Sequence, residues 1–131
     1  MGDKISQGSV EVVGGQLTDE ELRSIDLTEL EKEASKIFGV KVSFTDKQIT
    51  RSGKYFRLST GNLKKKTGVL ADHYKEFYIV VRLEYALHQG QNVYWGNAGF
   101  DFEWEGGGHN GRDVANVLYN ADTDKWEIAK R

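Results

Sequence analysis

The feature that most limits how this chain can fold is an alternation of apolar residues beginning at Phe77. Phe77, Ile79, Val81, Leu83, Tyr85 and Leu87 occupy every second position. A helix brings together residues three and four apart, so this spacing belongs to a strand with one face on a core. The β-branched run Ile79-Val80-Val81 strengthens that preference. After Gln89-Gly90-Gln91-Asn92, the residues Tyr94, Ala98, Phe100, Phe102 and Trp104 again fall on one side. Two such runs around a glycine predict a long antiparallel hairpin. With Gly90 at the first central position of a type II′ turn, Gln89 pairs with Asn92. Leu83 then meets Ala98, Val81 meets Phe100, and Tyr85 covers the bare backbone of Gly96. A slip of one residue would carry Asp101 and Glu103 into the core.

Around this hairpin the rest of the chain falls into order. Residues 1–9 read as a loose end and Val10 to Val13 as a short strand stopped by Gly14-Gly15. Thr18 and Glu21 have the spacing of a capping box, with Leu17 and Leu22 as its hydrophobic staple. Asp26 and Thr28 offer a second helix start, which predicts a break near residue 26. Leu27, Leu30, Ala34 and Ile37 share one face of an amphipathic helix that stops at Gly39. Val40, Val42 and Phe44 alternate as a strand, and residues 54–60 form another, entered by a turn at Ser52-Gly53. Gly61 to Gly68 reads as a basic loop and residues 105–113 as a flexible glycine-rich connection. Val117 and Tyr119, then Trp126 and Ile128, predict a C-terminal hairpin turning between Asn120 and Asp124.

This order predicts one α+β domain over residues 1–131. One N-terminal amphipathic helix would pack on a curved antiparallel sheet of about five to seven strands. Cystatin-like and nuclear-transport-factor-like rolls have such an architecture. The likeness is one of fold alone, and such folds host many functions. The length suits a single core, and 38% apolar with 29% charged residues separates the chain from disordered ones. Cysteine is absent, which excludes disulfides and thiolate metal sites. No stretch has the length of a membrane span and the N-terminus has no apolar signal core. The expectation is a cytoplasmic protein without a membrane partner; nothing in the sequence sets an oligomeric state.

Charge is unevenly spread. Between residues 40 and 66 there are eight bases and one acid, while the flanking segments are net acidic and the whole chain carries −2. Arg51, Lys54, Tyr55, Arg57, Lys64, Lys65 and Lys66 interleave cations with an aromatic ring, a pattern suited to an anion or nucleic acid. On the hairpin's outer face, the turn end is apolar for a solvated surface. Trp95, Val93, His88 and Tyr78 are therefore candidate partner-binding residues, unless the C-terminal hairpin covers them. His109, Asn110, Arg112 and Asp113 in the glycine-rich segment are a further candidate group, with His109 and Asp113 as a base and its orienter.

Other clusters fall short of chemistry. Asp101, Glu103 and Glu105 stand too far apart along one strand to chelate, and Arg82 can pair with Asp101. Asn120, Asp122 and Asp124 open like a calcium loop, but Lys125 replaces the needed glycine and the closing glutamate is missing. No nucleophile elbow, phosphate loop or metal-ligand spacing is present, so no catalytic residue, metal or cofactor is assigned. The leading expectation is a small non-enzymatic binding domain that recognises another protein, of inhibitor, immunity or adaptor type. The alternatives are a nucleic-acid-binding domain using segment 40–66, and a small-ligand-binding or enzymatic roll.

Overall fold

The computed structural model describes residues 15–63 and 74–131. The expected strand at Val10 to Val13, the lysines 64–66 and most of the basic loop lie outside the described residues. Two short helices, α1 (Asp19–Arg23) and α2 (Thr28–Phe38), precede six strands. These are β1 (Phe44–Ser52), β2 (Tyr55–Thr60), β3 (Tyr74–His88), β4 (Gln91–Trp104), β5 (His109–Asn120) and β6 (Lys125–Lys130). All neighbours are antiparallel, and the open sheet is ordered β1-β2-β3-β4-β5-β6, following the chain.

Two helices stand where one N-terminal helix was expected on the sheet, divided at the break that Asp26 and Thr28 foreshadow. Thr18 and Glu21 form both bonds of the capping box, so α1 begins where its side chains dictate. It ends at Ser24, and Asp26 accepts a 3.0 Å hydrogen bond from the Thr28 amide to start α2. Leu22, Leu30 and Ala34 are buried in the same apolar cluster as Ile79, Val81, Leu83, Tyr94, Ala98 and Val117. Trp126 Nε1 donates to the Asp26 carbonyl at 3.0 Å and so fastens β6 to the turn between the helices.

Residues 40–43 do not join the sheet, although their alternation predicted it. Helix α2 takes the amides at this point: the Val42 N–H donates to Ser35 Oγ and the N–H of Phe44, the first residue of β1, to Glu31 Oε2, both at 2.8 Å. A side-chain acceptor on the helix replaces the neighbouring strand, and β1 starts only at Phe44. The glycine-rich segment departs in the other direction. Only residues 105–108 connect the strands, and β5 begins at His109. Backbone pairing of Glu103 with His109 and Phe102 with Asn110 carries the ladder past the point where apolar alternation stops marking it.

The central hairpin forms with its expected faces and a different register. Gln89 and Gly90 are the turn residues, with φ of 53° and 78°. Positive φ at both central positions is the signature of a type I′ turn, with Gly90 second rather than first. His88 therefore pairs with Gln91, and every partner moves by two residues relative to the expected register: Tyr85 faces Tyr94, Leu83 faces Gly96 and Val81 faces Ala98. A shift of two leaves each side chain on its own face, because the strand period is two. Tyr85 packs edge-on against Tyr94 at 5.5 Å rather than over Gly96. Leu87 and Trp104, at the ends of the apolar runs, are exposed. The II′ geometry falls instead at the β1–β2 turn, where Gly53 has φ 60° and only two residues separate Ser52 from Tyr55.

Gly96 marks a close approach of β3 and β4. A Cβ there would lie 1.9 Å from the Arg82 carbonyl oxygen, so backbone would have to move. Gly96→Ala is expected to lower stability by about 2 to 3 kcal/mol through this overlap. Urea unfolding measures it, and an unchanged midpoint would show that β3 and β4 do not approach so closely.

Candidate functional site

The face of the sheet opposite the helices is crossed by two rows of side chains. Cross-strand pairing aligns Ser52, Tyr55, Glu84, Trp95, Leu118 and Glu127 in one row. The adjacent row is Thr50, Arg57, Arg82, Asn97, Asn116 and Ala129. Because β5 and β6 extend the sheet sideways, the C-terminal hairpin does not fold over Trp95. Trp95 is 38% exposed, and its ring meets His88 at a centroid distance of 4.8 Å.

Hollows lie on both sides of that indole. One, of about 550 Å³, is lined by Tyr55, Arg57, Arg82, Glu84, Asn97 and Trp95. The other, of about 520 Å³, runs from Trp95 along Asn116, Leu118, Glu127 and Ala129. Tyr55 is 54% exposed at the far wall of the first hollow.

The other residues of the expected patch are differently placed. Val93 is buried, so it supports the site rather than forming its surface. Tyr78 lies farther along β3, opposite Asp101, and donates a hydrogen bond to Glu76. Asp101 holds Arg82 in an ion pair. Arg82 and Asp101 are separated along the face by the row of Val80 and Gly99, so the Arg82 stem crosses above fully buried Val80.

The basic set divides. Arg51 points to the helix side, opposite Phe56, and its side chain is only 9% exposed. Its guanidinium donates to the Leu17 carbonyl and Asp19 Oδ1, both at 2.9 Å, to Gln16 Oε1 at 3.0 Å and to the Gly53 carbonyl at 2.9 Å. It therefore clamps the end of β1 to the start of α1. Lys54 pairs with Glu84 at 3.1 Å. Tyr55 and Arg57 remain exposed on the outer face.

The group in β5 does not converge. Strand alternation puts His109 and Asp113 on one face and Asn110 and Arg112 on the other. His109 and Asp113 are four residues apart on a strand, about 13 Å. Asp113 instead lies 3.9 Å from Arg131. The carboxylates of the β5–β6 turn are also engaged: Asp122 accepts from the Asn92 amide and side chain, and Asp124 from the Tyr119 hydroxyl. Among the described residues no group of three or more His, Cys, Asp or Glu side chains is placed to hold a metal ion. None of the described helices is long and apolar enough to cross a membrane.

Sequence reasoning missed Leu118 and Asn116 as members of this surface. Alternation through Val117 and Tyr119 places Leu118 outward, but only the β4–β5 register puts it beside Trp95. No family model, curated protein or solved structure matches the chain.

The tyrosines give a measurable pH dependence. The hydrogen bond to Glu76, followed by burial and nearby carboxylate charge, pushes the Tyr78 phenol up to about 12 from an ordinary 10. Burial, then the bond to Asp124, raises Tyr119 as well. A phenol that holds its proton more tightly when folded stabilises the fold fully below pH 10, and that contribution disappears as pH rises through the folded value. Stability should therefore fall as pH rises from 10 towards 12, and Tyr78→Phe should shallow the fall. Urea midpoints across that range measure both; equal slopes for the two proteins would rule out the Tyr78 contribution.

Proposed function

We propose that this is a small non-enzymatic binding domain that recognises another protein through the outer face of its sheet. The observation that carries the reading is Trp95, more than a third exposed at the centre of six strands, with a hollow on each side. A large aromatic side chain in that position exposes much apolar area at little conformational cost, the property of interface anchors. The rim around it is polar, through Glu84, Asn97, Asn116 and Glu127, as in surfaces that bind and release a partner.

The helix side favours this over a ligand-binding roll. Tyr94, Phe56, Leu30, Leu58, Ile79 and Val81 are almost completely buried there in one apolar cluster, which supports a packed core over a ligand cavity among the described residues. The nucleic-acid alternative keeps Tyr55 and Arg57, but Arg51 is committed to internal partners and Lys54 is paired with Glu84.

Trp95→Ala tests the reading. As a surface truncation it should leave unfolding nearly unchanged, within about 1 kcal/mol. A partner retained by the wild-type protein should lose about 2 kcal/mol or more of affinity. Co-purification from the source cell, with the folded variant as the control, identifies proteins that depend on the indole. If every retained protein binds the variant equally, the outer face is not the recognition surface.

A further inference from the structure

The outer face is chemically lopsided. Arg57 and Arg82 are direct cross-strand partners on it. Like charges so placed repel each other, and the arrangement is relieved only where anions sit nearby. Arg82 has Asp101. Arg57 is exposed and forms no ion pair with any described carboxylate, while its neighbour Lys54 is already held by Glu84. The first hollow is therefore lined by a guanidinium with no ion-pair partner among the described residues, whose planar fork suits a carboxylate. Toward β6 the character reverses: Trp95, Leu118 and Ala129 form an apolar end beside the second hollow. Asn97 and Asn116, paired across β4 and β5, lie next to Arg82; Asn116 Oδ1 accepts from Arg131 Nε at 3.0 Å, and its side-chain N–H groups are donors.

We propose that this face holds an extended segment of the partner protein, with an acidic side chain on Arg57 and an apolar side chain against Trp95. The inference rests on the reading of the domain as one that recognises protein, and it specifies the chemistry recognised. Arg57 and Trp95 are two strands apart and one residue pair along the sheet, a separation of about 12 Å. An extended peptide advances about 3.3 Å per residue, so the acidic and apolar positions of the segment stand about three to five residues apart. The asparagine pair meets the peptide groups between them. A single-stranded nucleic acid could also stack on Trp95 and Tyr55. Its repeating phosphates would then run over Glu84 and Glu127, which occupy the same row as Trp95 on both sides. A segment with one acidic position avoids that repulsion.

Random peptides displayed on phage are selected on the full chain, and the enriched sequences are synthesised and titrated against wild type, Arg57→Glu, Arg57→Lys and Trp95→Ala. Thermal unfolding of each variant shows that it is folded. The expected peptides carry Asp or Glu about three to five residues from a large apolar residue. They should bind Arg57→Glu at least about tenfold more weakly, Arg57→Lys at an intermediate affinity, and wild type less tightly as salt increases. Peptides that need Trp95 but ignore the charge at position 57 would overturn the acidic segment and leave the protein-recognition reading standing. Oligothymidylate binding that depends on Arg57, with no peptide enriched, would overturn both. Failure to enrich any peptide, with no oligothymidylate bound, would overturn the extended-segment proposal, while the co-purification comparison with Trp95→Ala still decides the broader reading.

Discussion

The structure depends on one constraint: β3 and β4 present opposite chemistry on their two faces. Ile79, Val81, Leu83, Tyr94 and Ala98 are buried on one side with Leu30 and Ala34 of α2. Arg82, Glu84, Trp95 and Asn97 stand on the other side, facing solvent. Burial of the first set is favourable in proportion to the apolar area removed from water, and it holds the hairpin in an orientation that leaves the second set outside. The site is thus a consequence of the core: a side chain at the next position along either strand has nowhere else to go.

Around that constraint the smaller interactions have distinct tasks. The Arg51 guanidinium uses three hydrogen bonds to join the β1 end to the capping region of α1. The Leu17 amide donates to the Tyr94 hydroxyl at 3.0 Å, tying the same capping region to the centre of the sheet. The Arg82–Asp101 pair lies over Val80 and closes one end of the outer face. What remains open is the stretch from Tyr55 and Arg57 through Trp95 to Leu118, which gives the surface a cationic end and an apolar end.

The faces of the hairpin were legible in the sequence and its register was not. Gly90 satisfies either a type I′ or a type II′ turn, since both require positive φ at a position glycine can fill. The choice turns on Gln89, which here takes a φ of 53° that its side chain does not advertise. Both registers bury the same set, so the apolar pattern cannot distinguish them. The capping box, the break before Thr28 and the C-terminal hairpin were legible because each is set by residues close in sequence. Residues 40–43 misled for the opposite reason: the Val42 amide bonds to Ser35 and the adjoining Phe44 amide to Glu31, partners that local alternation does not reveal.

The sequence by itself determined which residues face inward, where the helices start and stop, and that Trp95 lies on the opposite face from the core. These follow from periods of two and 3.6 and from short-range capping bonds. Only the tertiary structure decided what stands beside Trp95 and which cations remain available. Arg51 and Arg57 are neighbours in a basic segment, yet one is enclosed by Gln16, Leu17 and Asp19 and the other is exposed beside Arg82. Leu118 reaches Trp95 only through the pairing of β4 with β5. Such neighbours depend on strand order and register across many residues of intervening chain, and no local pattern carries that information.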